Sequence, residues 1–143
     1  MDEGEEAEQS FTDVMALLDN GKEGEALVLF LQDVVHLLPE EFDLLRASPY
    51  WQDQVKLMQT VPLEMQAVAR YEFEPAQFEN MTTPALLLGG SESSQPFREG
   101  IDLLDDMHPN SEVAIMDGGG HIRLATAPEQ FLDEVLGFIR EPN

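Results

Sequence analysis

The sequence has no cysteine, which excludes a disulfide framework and thiolate chemistry. It is also poor in positive charge. Seven lysines and arginines stand against 29 aspartates and glutamates, for a formal charge of -22, and only Lys22 and Lys56 are lysines. A surface this acidic repels phosphate backbones and anionic headgroups, so neither nucleic acid nor a membrane surface is an expected partner. No apolar run approaches the roughly 20 residues of a membrane-spanning helix. The acidic start is unlike the basic-then-apolar start of a signal peptide. Together these absences predict a cytoplasmic protein. There is no G-x-S-x-G turn, no glycine-rich phosphate loop and no paired metal-ligand spacing. No cofactor or metal is therefore implied, and no nucleophile is recognisable.

What is present suits one domain. The chain has 143 residues and is 43% hydrophobic, enough to bury a core. Its acidity has two readings. One is an ordinary acidic protein. The other is adaptation to high salt, where screening quiets the self-repulsion of like charges. Near-absence of lysine beside abundant Asp and Glu resembles proteins of salt-loving archaea.

The chain divides into three stretches. Residues 1–9 carry the densest acid, Asp2 to Glu8, and read as a disordered, solvated tail. Residues 10–82 read as short helices. Ser10 to Leu18 offers Ser10 and Thr12 as capping residues and stops near Asn20-Gly21. Glu23 to Leu38 places Leu27, Phe30, Leu31, Val34, Val35 and Leu38 at spacings of three and four. Pro39 then seats a helix over Glu40 to Ala47, and Pro49 and Pro62 punctuate two more, Tyr50 to Thr60 and Leu63 to Tyr71. Short helices with short links suggest a lid. Phe30, Trp51, Leu57, Met58 and Met65 could line an apolar pocket there, although apolar stripes at helical spacing are more often core.

Residues 83–143 have a different texture. Ala85-Leu86-Leu87-Leu88, bounded by Pro84 and Gly89-Gly90, reads as a strand buried on both faces. Pro96 to Met107 reads as a helix with Ile101, Leu104 and Met107 inward. Glu112 to Met116 is a second strand, closed by Asp117-Gly118-Gly119-Gly120. A last helix runs from Pro128 to Arg140 with a stripe of Phe131, Val135 and Ile139. This β-α-β-α order demands a parallel pair joined by a crossover. Two parallel strands do not make an independent sheet, so the inner edge of the pair wants another strand.

Three histidines are candidates for chemistry. His36 falls within the Glu23 to Leu38 helix and reads as a boundary residue. His108 precedes Pro109-Asn110 and suits a cap near the helix carbonyls. His121 follows three glycines at the carboxyl end of a strand, where open α/β sheets place reactive groups. A catalytic imidazole needs a carboxylate on one nitrogen and a proton partner on the other. Glu92, in the loop Gly89-Gly90-Ser91-Glu92-Ser93-Ser94, is the acid at the end of the other strand. The competing reading is a polar turn with a solvated Glu92.

Thr83-Pro84-Ala85-Leu86-Leu87-Leu88-Gly89-Gly90 resembles the penultimate core strand of α/β-hydrolases. Pro109 to Met116 resembles their final turn and strand, Gly119-Gly120-His121 their catalytic-histidine loop, and Ala127-Pro128-Glu129-Gln130-Phe131 the opening of their last helix. Residues 10–82 resemble the helical cap inserted before these strands. The resemblance implies a partial α/β-hydrolase fold, with His121 as general base and Glu92 as the acid of a triad, although Asp is commoner than Glu there. It implies hydrolysis of an ester, amide or similar bond of a small molecule. The central strands, oxyanion loop and nucleophile elbow would lie upstream of Met1. Three readings stay open: a half completed by another polypeptide, a stand-alone or self-associating relic that binds without catalysis, or an enzyme using His121 in an unrelated way.

Overall fold

The structure is a computed structural model that describes residues 3–140. It comprises two compact units, Met1–Glu72 and Phe73–Asn143. The expected boundary lay between residues 82 and 83. Residues 73–82 lie with the second unit, to which the Asn110 Nδ2 amide ties them by donating to the Thr82 carbonyl at 2.9 Å, and within the segment Phe73 stacks on Phe78 at 5.3 Å.

The first unit is helical throughout. α1 spans Glu3–Asp19. The acidic stretch expected as a disordered tail is therefore helical from residue 3, and residues 1 and 2 lie outside the described residues. Acid such as Glu6, in the first turn, suits the positive end of the helix dipole. Ser10 and Thr12 do not cap. They lie inside α1, where the Thr12 hydroxyl donates back to the Glu8 carbonyl. The helix ends as the sequence suggests. Gly21 takes a φ of +68°, the Gly21 N–H donates to Leu18 and the Lys22 N–H to Leu17. That pair of bonds satisfies the last carbonyls of α1.

α2 spans Glu23–Leu29, and a π-helical turn continues it over Phe30–Val34. The chain then reverses at His36, whose φ of +56° breaks the longer helix expected there. The turn moves Leu37 into the core in place of Leu38. α3 (Pro39–Ala47), α4 (Trp51–Leu57) and α5 (Val61–Arg70) follow. Pro39 and Pro62 sit in the first turns of α3 and α5, where a missing N–H costs nothing. Val14, Ala26, Leu27, Leu31, Leu37, Phe42 and Met58 are buried. Each fully buried large side chain contributes roughly 1.5–3 kcal/mol relative to exposure. Of the five residues considered for a pocket, Met58 is core and Leu57 is exposed.

The second unit carries the sheet. After a 3-10 turn at Pro75–Gln77 come β1 (Ala85–Gly90), α6 (Gln95–Met107), β2 (Ser111–Met116), α7 (Arg123–Thr126) and α8 (Pro128–Arg140). β1 and β2 pair in parallel, with Ala85 opposite Ser111 and Gly90 opposite Met116. The expected β-α-β-α pattern is what forms. Leu86, Leu88, Glu112, Ala114 and Met116 share one face, and Leu87, Gly89, Val113 and Ile115 the other. α6 packs on the second face so closely that a Cβ on Gly89 would strike Ile101 and come within 3.1 Å of Ile115. Met116 is buried, but Val113 and Ile115 stay exposed. On α8, Phe131 and Val135 are half-buried, while Ile139, expected on the same inward stripe, is exposed. Among the described residues no helix is long and apolar enough to cross a membrane.

Candidate functional site

Both parallel strands end on the same side, so their carboxyl-terminal loops are neighbours. Backbone bonds stitch them together. The Ser91 N–H donates to the Met116 carbonyl at 3.1 Å, extending the ladder by one residue. The Glu92 N–H donates to the Gly119 carbonyl at 2.9 Å, and the Gly118 N–H donates to the Ser91 Oγ at 2.9 Å. The glycines are there for space. A Cβ on Gly90 would lie 2.6 Å from the Gly119 carbonyl carbon and 2.6 Å from the Gly120 oxygen. A Cβ on Gly119 would meet Arg123 Cδ at 2.6 Å. Gly118 has a φ of +64°, the left-handed region where glycine is favoured.

Arg123 fixes the far side of this loop. Its Nη2 donates to the Asp117 carbonyl at 3.1 Å and to the Gln130 Oε1 at 2.7 Å. The histidine loop is thus tied to β1 on one side and to α8 on the other.

His121 and Glu92 stand on these two stitched loops, and both are exposed. Among the described residues no hydrogen bond joins their side chains. The Glu92 carboxylate instead receives a long contact, 3.4 Å, from the Ser91 hydroxyl. The His121 ring stacks on Phe97, with centroids 4.2 Å apart and planes 18° apart. Phe97 and Arg123 are contacts that sequence reasoning missed. An aromatic in the first turn of α6 and an arginine two residues after the histidine were the available signals.

Among the described residues no hydrogen bond joins a serine of the Glu92 loop to the His121 ring. The Ser91 hydroxyl is held by Gly118 and Glu92, and the Ser93 N–H closes a turn onto the Gly90 carbonyl. The other histidines lie elsewhere. His36 occupies the left-handed turn after the π-helical segment. His108 does not reach the helix carbonyls: its Nδ1 accepts the Asn110 N–H at 3.1 Å, tightening the turn before β2. Among the described residues no group of three or more His, Asp or Glu could hold a metal ion.

No protein-family model matches the sequence, and no curated protein matches it. A solved structure is similar. It is the crystal structure of an alpha/beta hydrolase from Sphaerobacter thermophilus DSM 20745, with a TM-score of 0.69 and 22% identity over 91% of this chain and 49% of that one. The fold is therefore part of an α/β-hydrolase fold, and the chain spans about half the length of that neighbour.

Proposed function

We propose that residues 1–143 form the cap- and histidine-bearing half of a hydrolase that cleaves an ester, amide or similar bond of a small molecule. In this reading the nucleophile belongs to a polypeptide segment outside these residues. His121 takes the proton of the nucleophile's hydroxyl as its oxygen attacks the carbonyl carbon. It returns that proton to the leaving group as the carbon–heteroatom bond breaks, and activated water then releases the acyl group. Glu92 turns from Ser91 to the imidazole and stabilises its cation. The observation that carries the reading is the pair of stitched loops, which hold a histidine and a carboxylate at one end of a parallel sheet.

The test combines a chromogenic short-chain ester with a fluorophosphonate that labels activated serines. The chain by itself is expected to show neither labelling nor turnover that depends on His121. Addition of a complementing half should give turnover that His121→Ala lowers by roughly 10²–10⁴-fold. A labelled serine within residues 1–143, or His121-dependent turnover by the chain alone, would overturn the assignment of the nucleophile elsewhere.

A second reading, a non-catalytic self-associating protein, is favoured by one observation. The Ala85 and Ser91 N–H groups donate toward β2, so by parallel alternation Leu86 and Leu88 direct theirs to the other edge, along which no third strand of the described residues runs. Such an edge invites pairing. A monomer by mass measurement at high salt would sink this reading.

A further inference from the structure

The His121 loop is restrained through its backbone and through Arg123, but neither restraint sets the plane of the imidazole. Asp117 is held at its carbonyl, Gly118 at its N–H and Gly119 at its carbonyl. His121 itself stands exposed at the loop's end. What its ring touches is Phe97, nearly parallel at 4.2 Å. Phe97 is well placed for this. The Phe97 N–H donates to the Ser94 carbonyl at the start of α6, and the loop before Ser94 is stitched to the His121 loop through Glu92 and Gly119. Phe97 also remains 40% exposed, so solvent still reaches the stacked pair.

We propose that Phe97 is the positioning residue of His121. This inference rests on the hydrolase reading for its purpose, but not for its geometry. A stacked partner occupies one π-face of the imidazole and leaves the ring edge open. Both nitrogens lie in that edge, so stacking fixes the plane without consuming a nitrogen. One nitrogen stays available to a carboxylate and the other to a proton partner, which is what a relay requires. A hydrogen-bonding orienter would have to occupy one of the two. Offset-stacked aromatic pairs are favourable beyond their buried area, enough to hold one rotamer over its alternatives by roughly 2- to 10-fold.

The test is NMR of the full chain, read at the His121 ring protons. In the native protein the Phe97 ring current should displace these protons upfield, with cross-peaks between the two rings. Phe97→Leu keeps an apolar residue in α6 but removes the ring current. Loss of the ring current alone returns the His121 protons toward ordinary imidazole positions, so the positioning role is read from the cross-peaks of the His121 ring to its own loop, which should change from one fixed set to an averaged set while His36 and His108 stay in place. Phe97→Tyr should keep the displacement. If Phe97→Leu fails to fold, His121→Ala reads the same stack from the other side, as a shift of the Phe97 ring protons. A His121 ring that keeps the same fixed cross-peaks to its loop in a folded Phe97→Leu protein, or unmoved Phe97 signals in His121→Ala, would overturn the proposal. No catalysis is needed for this readout. A ring orientation that depends on Phe97 in a chain never able to hydrolyse an ester would leave Phe97 assigned and the hydrolase reading wrong.

Discussion

Gly90→Ala probes the joint on which the whole site stands. The added Cβ would lie 2.6 Å from the Gly119 carbonyl carbon and from the Gly120 oxygen. These are backbone atoms, so no flexible side chain can swing away. The two loops must part instead. Overpacking of this kind typically costs about 1–3 kcal/mol. Parting the loops also weakens the Glu92 to Gly119 bond, and a lost hydrogen bond adds about 0.5–1.5 kcal/mol. The sum is about 1.5–4.5 kcal/mol. With a urea slope of about 2 kcal/mol/M, the midpoint should fall by roughly 0.8–2.3 M. Trp51, the single tryptophan, lies in the first unit and would miss this event. The transition must be followed by the amide resonances of β1 and β2. Gly100→Ala is the matched control. Gly100 lies inside α6 with nothing within 4 Å of its added Cβ, so alanine there should stabilise by about 0.5–1 kcal/mol. A Gly90→Ala midpoint equal to that of the native protein would refute the close approach of the loops.

Two further predictions concern the first unit and the charge. Gly21 and His36 both have positive φ, +68° and +56°. Gly21→Ala should destabilise by about 1 kcal/mol, whereas His36→Gly should stabilise by up to about 1 kcal/mol, both read from Trp51 fluorescence in urea; the same sign for both would refute the backbone argument. Stability should also rise between low and about 1 M salt, where the Debye length falls to about 3 Å. Among the described residues just two ion pairs, Lys22–Glu25 and Lys56–Asp53, offset a formal charge of -22. Equal urea midpoints at both salt concentrations would remove the case for high-salt adaptation.

The sheet unit was the more legible half. Leu86 to Leu88 between Pro84 and two glycines leaves few alternatives to a strand, although these leucines are half-buried and not covered on both faces, and β1, α6, β2 and α8 fall close to where pattern puts them. The first unit was harder for a definable reason. Leu27, Phe30, Leu31, Val34 and Val35 keep a helical spacing through a turn whose Val35 N–H bonds back five residues to Phe30. Periodicity near 3.6 does not register that bond, so the pattern extends the helix past His36 and points Leu38 inward where the structure buries Leu37. At the site, strand order alone brought His121 and Glu92 to one end of the sheet. The Phe97 stack and the Arg123 clamp depend on tertiary approach across 24 and 6 residues, distances at which one sequence carries no pattern.

The two readings of function differ in what they require of the apolar surface. α8 exposes Leu132, Leu136 and Ile139, while Phe131, Val135 and Phe138 are half-buried. A helix apolar on so wide an arc is built to be covered on more than one side. Val113 and Ile115 on β2 and Leu103 and Leu104 on α6 repeat the pattern. The outward N–H groups of Leu86 and Leu88 add unpaired donors beside apolar side chains. A protein long independent of any partner would be expected to carry polar residues at such positions, because exposed apolar patches promote aggregation. Self-association could bury them, but each copy brings a charge of -22 to the contact. That repulsion weakens pairing between identical chains at ordinary salt and does not oppose a partner of different charge. The surface and the charge together therefore weigh toward completion by a different polypeptide segment, and they make the salt dependence of self-association the measurement that separates the two.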